Sequence, residues 1–419
     1  MLDLRGILNF KLLLWQRVLV GMICGILAGI YLKEQASKIE FLGIIFLNLI
    51  KMVIVPLIFF TIIYGITSVE DYQGLYRIGV KAIVVFVTTA MSAAIIGLIT
   101  SHFLQPGLSA GSSGIRESLT QMVTKTSTNG NAAKSLFDIL IGIIPTNIFA
   151  ALAEGNILQI ILFAFFCGII MNSCKDSCNT LINLCHQIAQ IMFKMISIIM
   201  LIAPLGVFGY MASLVGTQGV TVLVSLMKLI ATILIGCIIQ YLFFGIIIRS
   251  FGKISPVPFY KKMIGPQLLA FSTSSSKATL VPLMQVAEGK LGISKQNSRF
   301  LLPLSAALNM DGGAIYQSSC AIFFAQILGV HLSLMDYTTL IFMCTLASIG
   351  GAGIPGGVLL FLGMVLNSIG IPIEGVVLIA SIDRILDMVT TLINVTGDAC
   401  VTLIIDSSEN TLDKKTYYS

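Results

Sequence analysis

Charge is scarce in this chain: of 419 residues, 25 are Lys or Arg and 19 are Asp or Glu, 11% in all, where a soluble domain carries about 25%. Histidine occurs three times (His102, His186, His331) and tryptophan once. So little charge excludes a soluble globular enzyme, a nucleic-acid binder and a disordered regulator. None of the nine cysteines stands at metal-ligand spacing from a histidine, so they read as apolar residues within helices. A cleavable leader is not expected either, because Lys11 and Arg17 interrupt the first apolar run and no small-residue site follows. The formal charge of +6 matters less than where the charges lie.

What fills the chain is apolar, 56% of it. Taking about 20 apolar residues per crossing, spans are expected at 13–32, 41–68, 79–103, 145–172, 187–214 and 221–249. Several are long enough to require tilt or a kink, and Pro56 and Pro204 remove amide donors inside two of them. The Ser/Gly/Thr-rich stretch Gly107–Ala133 reads as an exposed loop.

Beyond residue 250 the pattern changes. Residues 257–289 are broken by Ser272–Lys277, and 300–329 by Asn309-Met310-Asp311-Gly312-Gly313. Residues 338–370 are broken by Ser348–Gly357, and 374–405 form a span with three carboxylates. The order is broken segment, span, broken segment, span, a weak internal repeat. Interrupted apolar segments at corresponding positions point to a transport site, because irregular backbone at membrane depth survives only where protein or a cavity satisfies it. Each broken segment therefore reads as a re-entrant hairpin. With eight spans and two hairpins both termini share one side, and fifteen Lys and Arg fall on that side against five on the other. This bias makes the termini cytoplasmic.

An acid at the centre of a membrane helix costs at least ~2.5–3.5 kcal/mol, so intramembrane acids are functional candidates. Asp383, Asp387, Thr391, Asn394 and Asp398 fall on one face of the last span at helical spacing. Arg384 lies near that face, and pairing with it is the bland explanation; one arginine does not neutralise three carboxylates. Asn309 and Asp311 would point apart on a regular helix, and Gly312-Gly313 makes local unwinding plausible. Asn309, Asp311, Asn394 and Asp398 with freed carbonyls would form hard oxygen sites, suited to an alkali cation rather than zinc or copper. Ser272–Ser276 would place hydroxyls and amides at a half-helix N-terminus, a setting for carboxylates, with a bland turn as the competing explanation. GGAGIPGG at 350–357 would let backbone approach a ligand or hinge a gate; helix packing competes with that reading.

TSSSKATL, LPLSAALNMDGGAIYQ, GGAGIPGG and DRILDMVTTLINVTGD occur in one order and spacing, supported by MVIVPLIFF, ALAEGNILQIILFA and LIAPLGVFGYMA. In these motifs the chain resembles the dicarboxylate/amino acid:cation symporter family, that of the glutamate transporters, over nearly its whole length. The resemblance implies an all-α polytopic membrane protein of eight transmembrane helices and two re-entrant hairpins, assembled as a homotrimer. Residues 1–250 would hold six helices, of which 1, 2, 4 and 5 form a scaffold. Helices 3 and 6 would join residues 251–419 in a transport domain that moves as a unit. It also implies that Asp387 takes a substrate amino group, that Asn394 and Ser276, next to Ser275, hold the α-carboxylate with amides near Ile354, and that Gly313, Thr390 and Thr391 line the side-chain pocket. Sodium would be held by Asp398, Asn309 and Asn394, by Asp311 and Thr89, and by carbonyls around Ser348 and Ile349, with Ser305 also counted among the sodium residues.

Members carrying acidic substrates have an arginine where this chain has Thr390 and a threonine where it has Gly313. The pocket pattern thus resembles the serine/threonine-type members, while Lys277 and Arg384 could each reach a substrate carboxylate. Gln317 stands where animal proton-coupled carriers have a glutamate, which makes sodium the expected coupling ion, with protons possible. The expectation is sodium-coupled uptake of a small neutral amino acid such as serine or threonine by alternating access, in a bacterial inner membrane, without cofactor or nucleic acid. The alternative is a sodium- or proton-coupled glutamate/aspartate or C4-dicarboxylate symporter. An intramembrane aspartyl protease using Asp311 and Asp398 is the remote rival, lacking a Gly-x-Gly-Asp signature and giving the serine and glycine segments no task. A channel suits a ligand-sized site less well than alternating access.

Overall fold

A computed structural model describes residues 14–67, 75–108, 142, 144–155, 157–199, 201–350, 357–371, 376–380 and 382–419. All regular structure among them is helical. The first helix, α1 (Leu14–Leu32), leads through a 3-10 helix of seven residues (Lys33–Ile39) into α2 (Phe41–Thr67), followed by α3 (Leu75–Leu104). These match the expected first three spans.

The next two expected spans are each divided. Residues 145–172 become α4 (Ile148–Glu154) and α5 (Ile157–Ser173), separated at Gly155, whose φ of 70° is left-handed. Residues 187–214 also do not form one helix: α6 (Lys175–Ile199) stops before α7 (Ala203–Gln218), with Pro204 in the first turn of α7. Proline has no amide to donate and suits that first turn, so the break falls there. α8 (Val222–Ser250) then runs unbroken.

α1 lies along α7 through small residues. A Cβ added at Gly25 would stand 2.6 Å from the carbonyl oxygen of Phe208, and one at Gly29 2.7 Å from that of Ala212. These glycines let two backbones touch, a substitute for the hydrophobic drive that lipid does not supply between helices.

After Pro256 the chain turns back on itself. α9 (Val257–Thr273) ends at Ser274 in the left-handed region (φ 50°, ψ 40°), and Ser275 caps α10 (Ser276–Gly289) by accepting from the Ala278 amide at 3.2 Å. The serine run is therefore a helix break, where the broken segment 257–289 was expected to turn. α11 (Lys295–Leu308) and α12 (Asp311–Leu328) divide the 300–329 span at Asn309 and Met310, both non-helical (φ −113° and −111°). α13 (Leu334–Gly350) and α14 (Gly357–Ser368) flank residues 351–356, so the tip of the second broken segment lies outside the described residues. A short α15 (Val376–Ala380) precedes α16 (Asp383–Ser408), and α17 (Lys414–Tyr418) closes the chain.

α16 is the axis of this half, packed against α3, α8, α9, α10, α11 and α12. Its most apolar stretch is 89% buried, against 17% for the span containing α1. One end of α16 is fixed by fully buried Asp406, which accepts from Ser294 Oγ (2.6 Å), Asn297 Nδ2 (2.7 Å) and Thr411 Oγ1 (2.5 Å). Just beyond it Glu409 pairs with Arg77 and Lys81 of α3. Four described helical stretches, 16–39, 77–108, 222–250 and 383–408, are long and apolar enough to cross a membrane.

Candidate functional site

The polar centre forms where the α11–α12 break meets the middle of α16. Asn309 ends α11 and its side chain bridges two elements: Thr89 Oγ1 of α3 lies 3.2 Å from Asn309 Oδ1, and Asn309 Nδ2 lies 3.4 Å from Asp398 Oδ1. Asp311 starts α12, and Thr89, Gln240 and Asn309 stand around its carboxylate. Neither oxygen of Asp311, nor Oδ2 of Asp398, completes a hydrogen bond of ordinary geometry with a described residue. Asp311, Asp398, Asn309 and Ser305 are all fully buried. Ser305 lies beside Asp398 and the two acids are close to one another.

The close approach depends on Gly397. A Cβ there would meet Asn309 Nδ2 at 2.9 Å and Asp311 Oδ2 at 3.0 Å. Asn394, one turn away, accepts from the Gly312 amide at 2.8 Å, capping the start of α12, and its Nδ2 contacts Met310 Sδ at 3.3 Å. The Met310 amide donates to Ser348 Oγ at 2.9 Å, tying the break to the end of α13. Ile349 follows, half-buried, and Ile354 lies outside the described residues.

The structure thus gathers Thr89, Ser305, Asn309, Asp311, Asn394, Asp398 and Ser348 around one helix break. Two buried carboxylates with unsatisfied oxygens, near one another at membrane depth, are costly unless a positive charge offsets them. Amide and hydroxyl oxygens beside them complete a hard donor set, which fits an alkali cation.

The second group lies toward the start of α16. Arg384 Nη1 stands 3.6 Å from Asp387 Oδ2, an ion pair within one helix, and both side chains are buried. Tyr316 OH donates to Asp383 Oδ1 at 2.8 Å. Thr390 and Thr391 are buried; Thr390 Oγ1 directs its proton to the Asp387 carbonyl at 3.3 Å, one turn back. A Cβ on Gly313 would meet Val358 Cγ2 at 3.1 Å, placing this glycine against α14. At the serine break, Ser276 is buried with Oγ unpartnered among the described residues, while Ser275 is spent on its cap. Lys277 turns toward α2, its ammonium 5.7 Å from the centre of the Tyr64 ring.

Sequence reasoning missed Gln240, Tyr316 and Met310. Gln240 carried a signal, the one side-chain amide of the largely apolar α8; Met310 stood inside the recognised break without a role of its own, and Tyr316 carried no signal.

Comparison with known proteins places this geometry. The model of the Sodium:dicarboxylate symporter family matches residues 14–408. The C4-dicarboxylate transport protein of Laribacter hongkongensis (strain HLHK9) is 33% identical over 96% of this chain and 90% of its own length. That of Rhizobium leguminosarum is 34% identical over the same shares. The proton/glutamate-aspartate symporter of Escherichia coli (strain K12) is 32% identical over 97% of this chain and 95% of its own length. These relatives are transporters, so the buried aspartates belong to a transport protein of the membrane and not to a protease. The three relatives are named for C4-dicarboxylates or for glutamate and aspartate, and none for serine or threonine. Matched from α1 to the end of α16, the chain belongs to the Sodium:dicarboxylate symporter family.

Proposed function

We propose that this protein is a cation-coupled symporter of a small molecule with two carboxylates, a C4-dicarboxylate or an acidic amino acid, in a bacterial inner membrane. The observation that carries the reading is the pair Asp311 and Asp398, buried and incompletely hydrogen-bonded at the α11–α12 break. A coupling ion supplies the positive charge this pair needs, and sodium suits its hard oxygen donors. With the cation bound, Asn394 and Ser276 are positioned for a substrate carboxylate. The serine and glycine breaks would act as re-entrant hairpins of a transport domain sliding on a trimeric scaffold. Glu409 beside Arg77 and Lys81 puts the end of α16 and the start of α3 on one face, in keeping with cytoplasmic termini.

The neutral-substrate reading keeps one supporting observation, the threonine at 390. Its hydroxyl proton is engaged by the Asp387 carbonyl, which weakens it as a specificity donor. Uptake into proteoliposomes of labelled succinate, aspartate, glutamate and serine, each with a sodium or a proton gradient alone, tests the proposal. Sodium-driven uptake of an acidic substrate supports it. Serine uptake without any acidic substrate would overturn the substrate assignment, and no gradient dependence would overturn the symport itself.

A further inference from the structure

Two cations, Lys277 and Arg384, could meet an acidic substrate, and the structure separates them. Lys277 leans across to α2, over the face of Tyr64. Arg384 stays on the polar face of α16, within one turn of Asp387 and two of Thr391. Its guanidinium is buried, and Nε and Nη1 have no hydrogen-bond partner among the described residues. The Asp387 contact at 3.6 Å is an ion pair too long to count as a hydrogen bond. Asp383, the other acid beside Arg384, already accepts from Tyr316.

A buried guanidinium with two of its three nitrogens unpartnered among the described residues is an expensive arrangement unless something completes it. The group that fits is a planar carboxylate, which takes two parallel N–H donors from one arginine. The neighbouring Asp387 decides which carboxylate. An amine-free dicarboxylate would bring a second negative charge beside Asp387, whereas a substrate with an ammonium one or two carbons from its carboxylate meets both groups with opposite charge.

We propose that Arg384, and not Lys277, takes the side-chain carboxylate of an amino dicarboxylate, exchanging its loose pairing with Asp387 for a forked pair with the substrate while Asp387 receives the ammonium. This rests on the symporter reading above and narrows its substrate class. It makes Arg384 a specificity-determining residue on the side of the helix stripe opposite Thr390.

The test is competition for labelled aspartate uptake, driven by an inward sodium or proton gradient into proteoliposomes, by unlabelled asparagine and succinate, for the native chain, Arg384→Gln and Lys277→Gln, with labelled serine uptake in parallel. Losing one partner of a buried charge pair predicts that the native chain prefers aspartate to isosteric asparagine by about 100-fold. Succinate should compete at least roughly tenfold more weakly than aspartate, on the same charge argument. Arg384→Gln should bring aspartate and asparagine to within a few-fold of each other, and Lys277→Gln should leave the preference intact. Retained preference in Arg384→Gln, lost preference in Lys277→Gln, or stronger competition by succinate would overturn the proposal. If Arg384→Gln is inactive, the native competition series decides: equal competition by aspartate and asparagine overturns the role. Native uptake of serine that aspartate does not inhibit would remove the role of Arg384 and leave symport standing, whereas no uptake of any of these under either gradient would remove both.

Discussion

The α1–α7 pair and the α11–α12–α16 junction are both helix contacts in a membrane protein, yet they are built from opposite materials. At the first, glycines bring backbones together; Gly25 and Gly29 leave no room for a Cβ. At the second, acids, amides and hydroxyls fill the contact, and Gly397 provides closeness only so that Asn309 and Asp311 can reach α16. The first is complete as it stands. The second leaves buried carboxylate oxygens unsatisfied, a cost that the proposed coupling ion would offset. A seam that needs nothing suits a fixed support, and a junction that needs an ion suits a working part.

The contrast breaks most severely at Asp398. Replacing it with Asn keeps the shape and removes the charge, and the uncompensated centre should weaken apparent sodium affinity by roughly 100-fold. A sodium titration of uptake measures this, and an unshifted curve would argue that the junction needs no cation. Next comes Gly25→Leu, whose side chain must displace the Phe208 carbonyl and Met211. It should cost about 1–3 kcal/mol, seen as a lower midpoint of thermal unfolding in detergent, while sodium dependence of uptake in the surviving protein stays as before. A shifted sodium dependence would mean that the two contacts are not separate.

The smallest effect is expected at Glu409, outside the spans. Hydrogen bonds from Lys81 and Arg77 hold its carboxyl below the ordinary carboxylate range. A depressed folded-state value means that the contribution is present at pH above the unfolded value, near 4.5, and fades as acid protonates the folded group. Glu409→Gln should therefore lower the unfolding midpoint at pH 7 by the equivalent of about 1 kcal/mol or less, and the difference from the native chain should vanish toward pH 3. A difference that persists in acid would assign the effect to packing.

Much of the junction was legible because charge is rare here. Against an apolar background, Asp311, Asp387 and Asp398 stand out, and helical spacing puts the last two with Asn394 on one face. Small-residue breaks at 272–276 and 309–313 were readable for the same reason. The division of 187–214 was harder, since Pro204 signals a kink and an N-terminus equally well, and only the packing of α7 on α1 decides between them. Gln240 and Tyr316 became partners through contacts far apart in sequence, which periodicity does not encode. Substrate preference was the least legible. Thr390 and Gly313 suggested a neutral pocket, but the direction of a hydroxyl proton and the choice of Lys277 between the pocket and Tyr64 are settled by three-dimensional neighbours.

The amide of Met310, bound to Ser348 Oγ at 2.9 Å, belongs at once to the break that holds the acids and to the helix leading into the glycine-rich segment. A bond shared by two elements makes their equilibria reciprocal: whatever tightens the break steadies the end of α13 by the same free energy, and whatever loosens α13 is felt at the break. On the proposed reading, linkage between a coupling ion and the end of α13 would then need no signal carried over a distance, because one hydroxyl group is held in common.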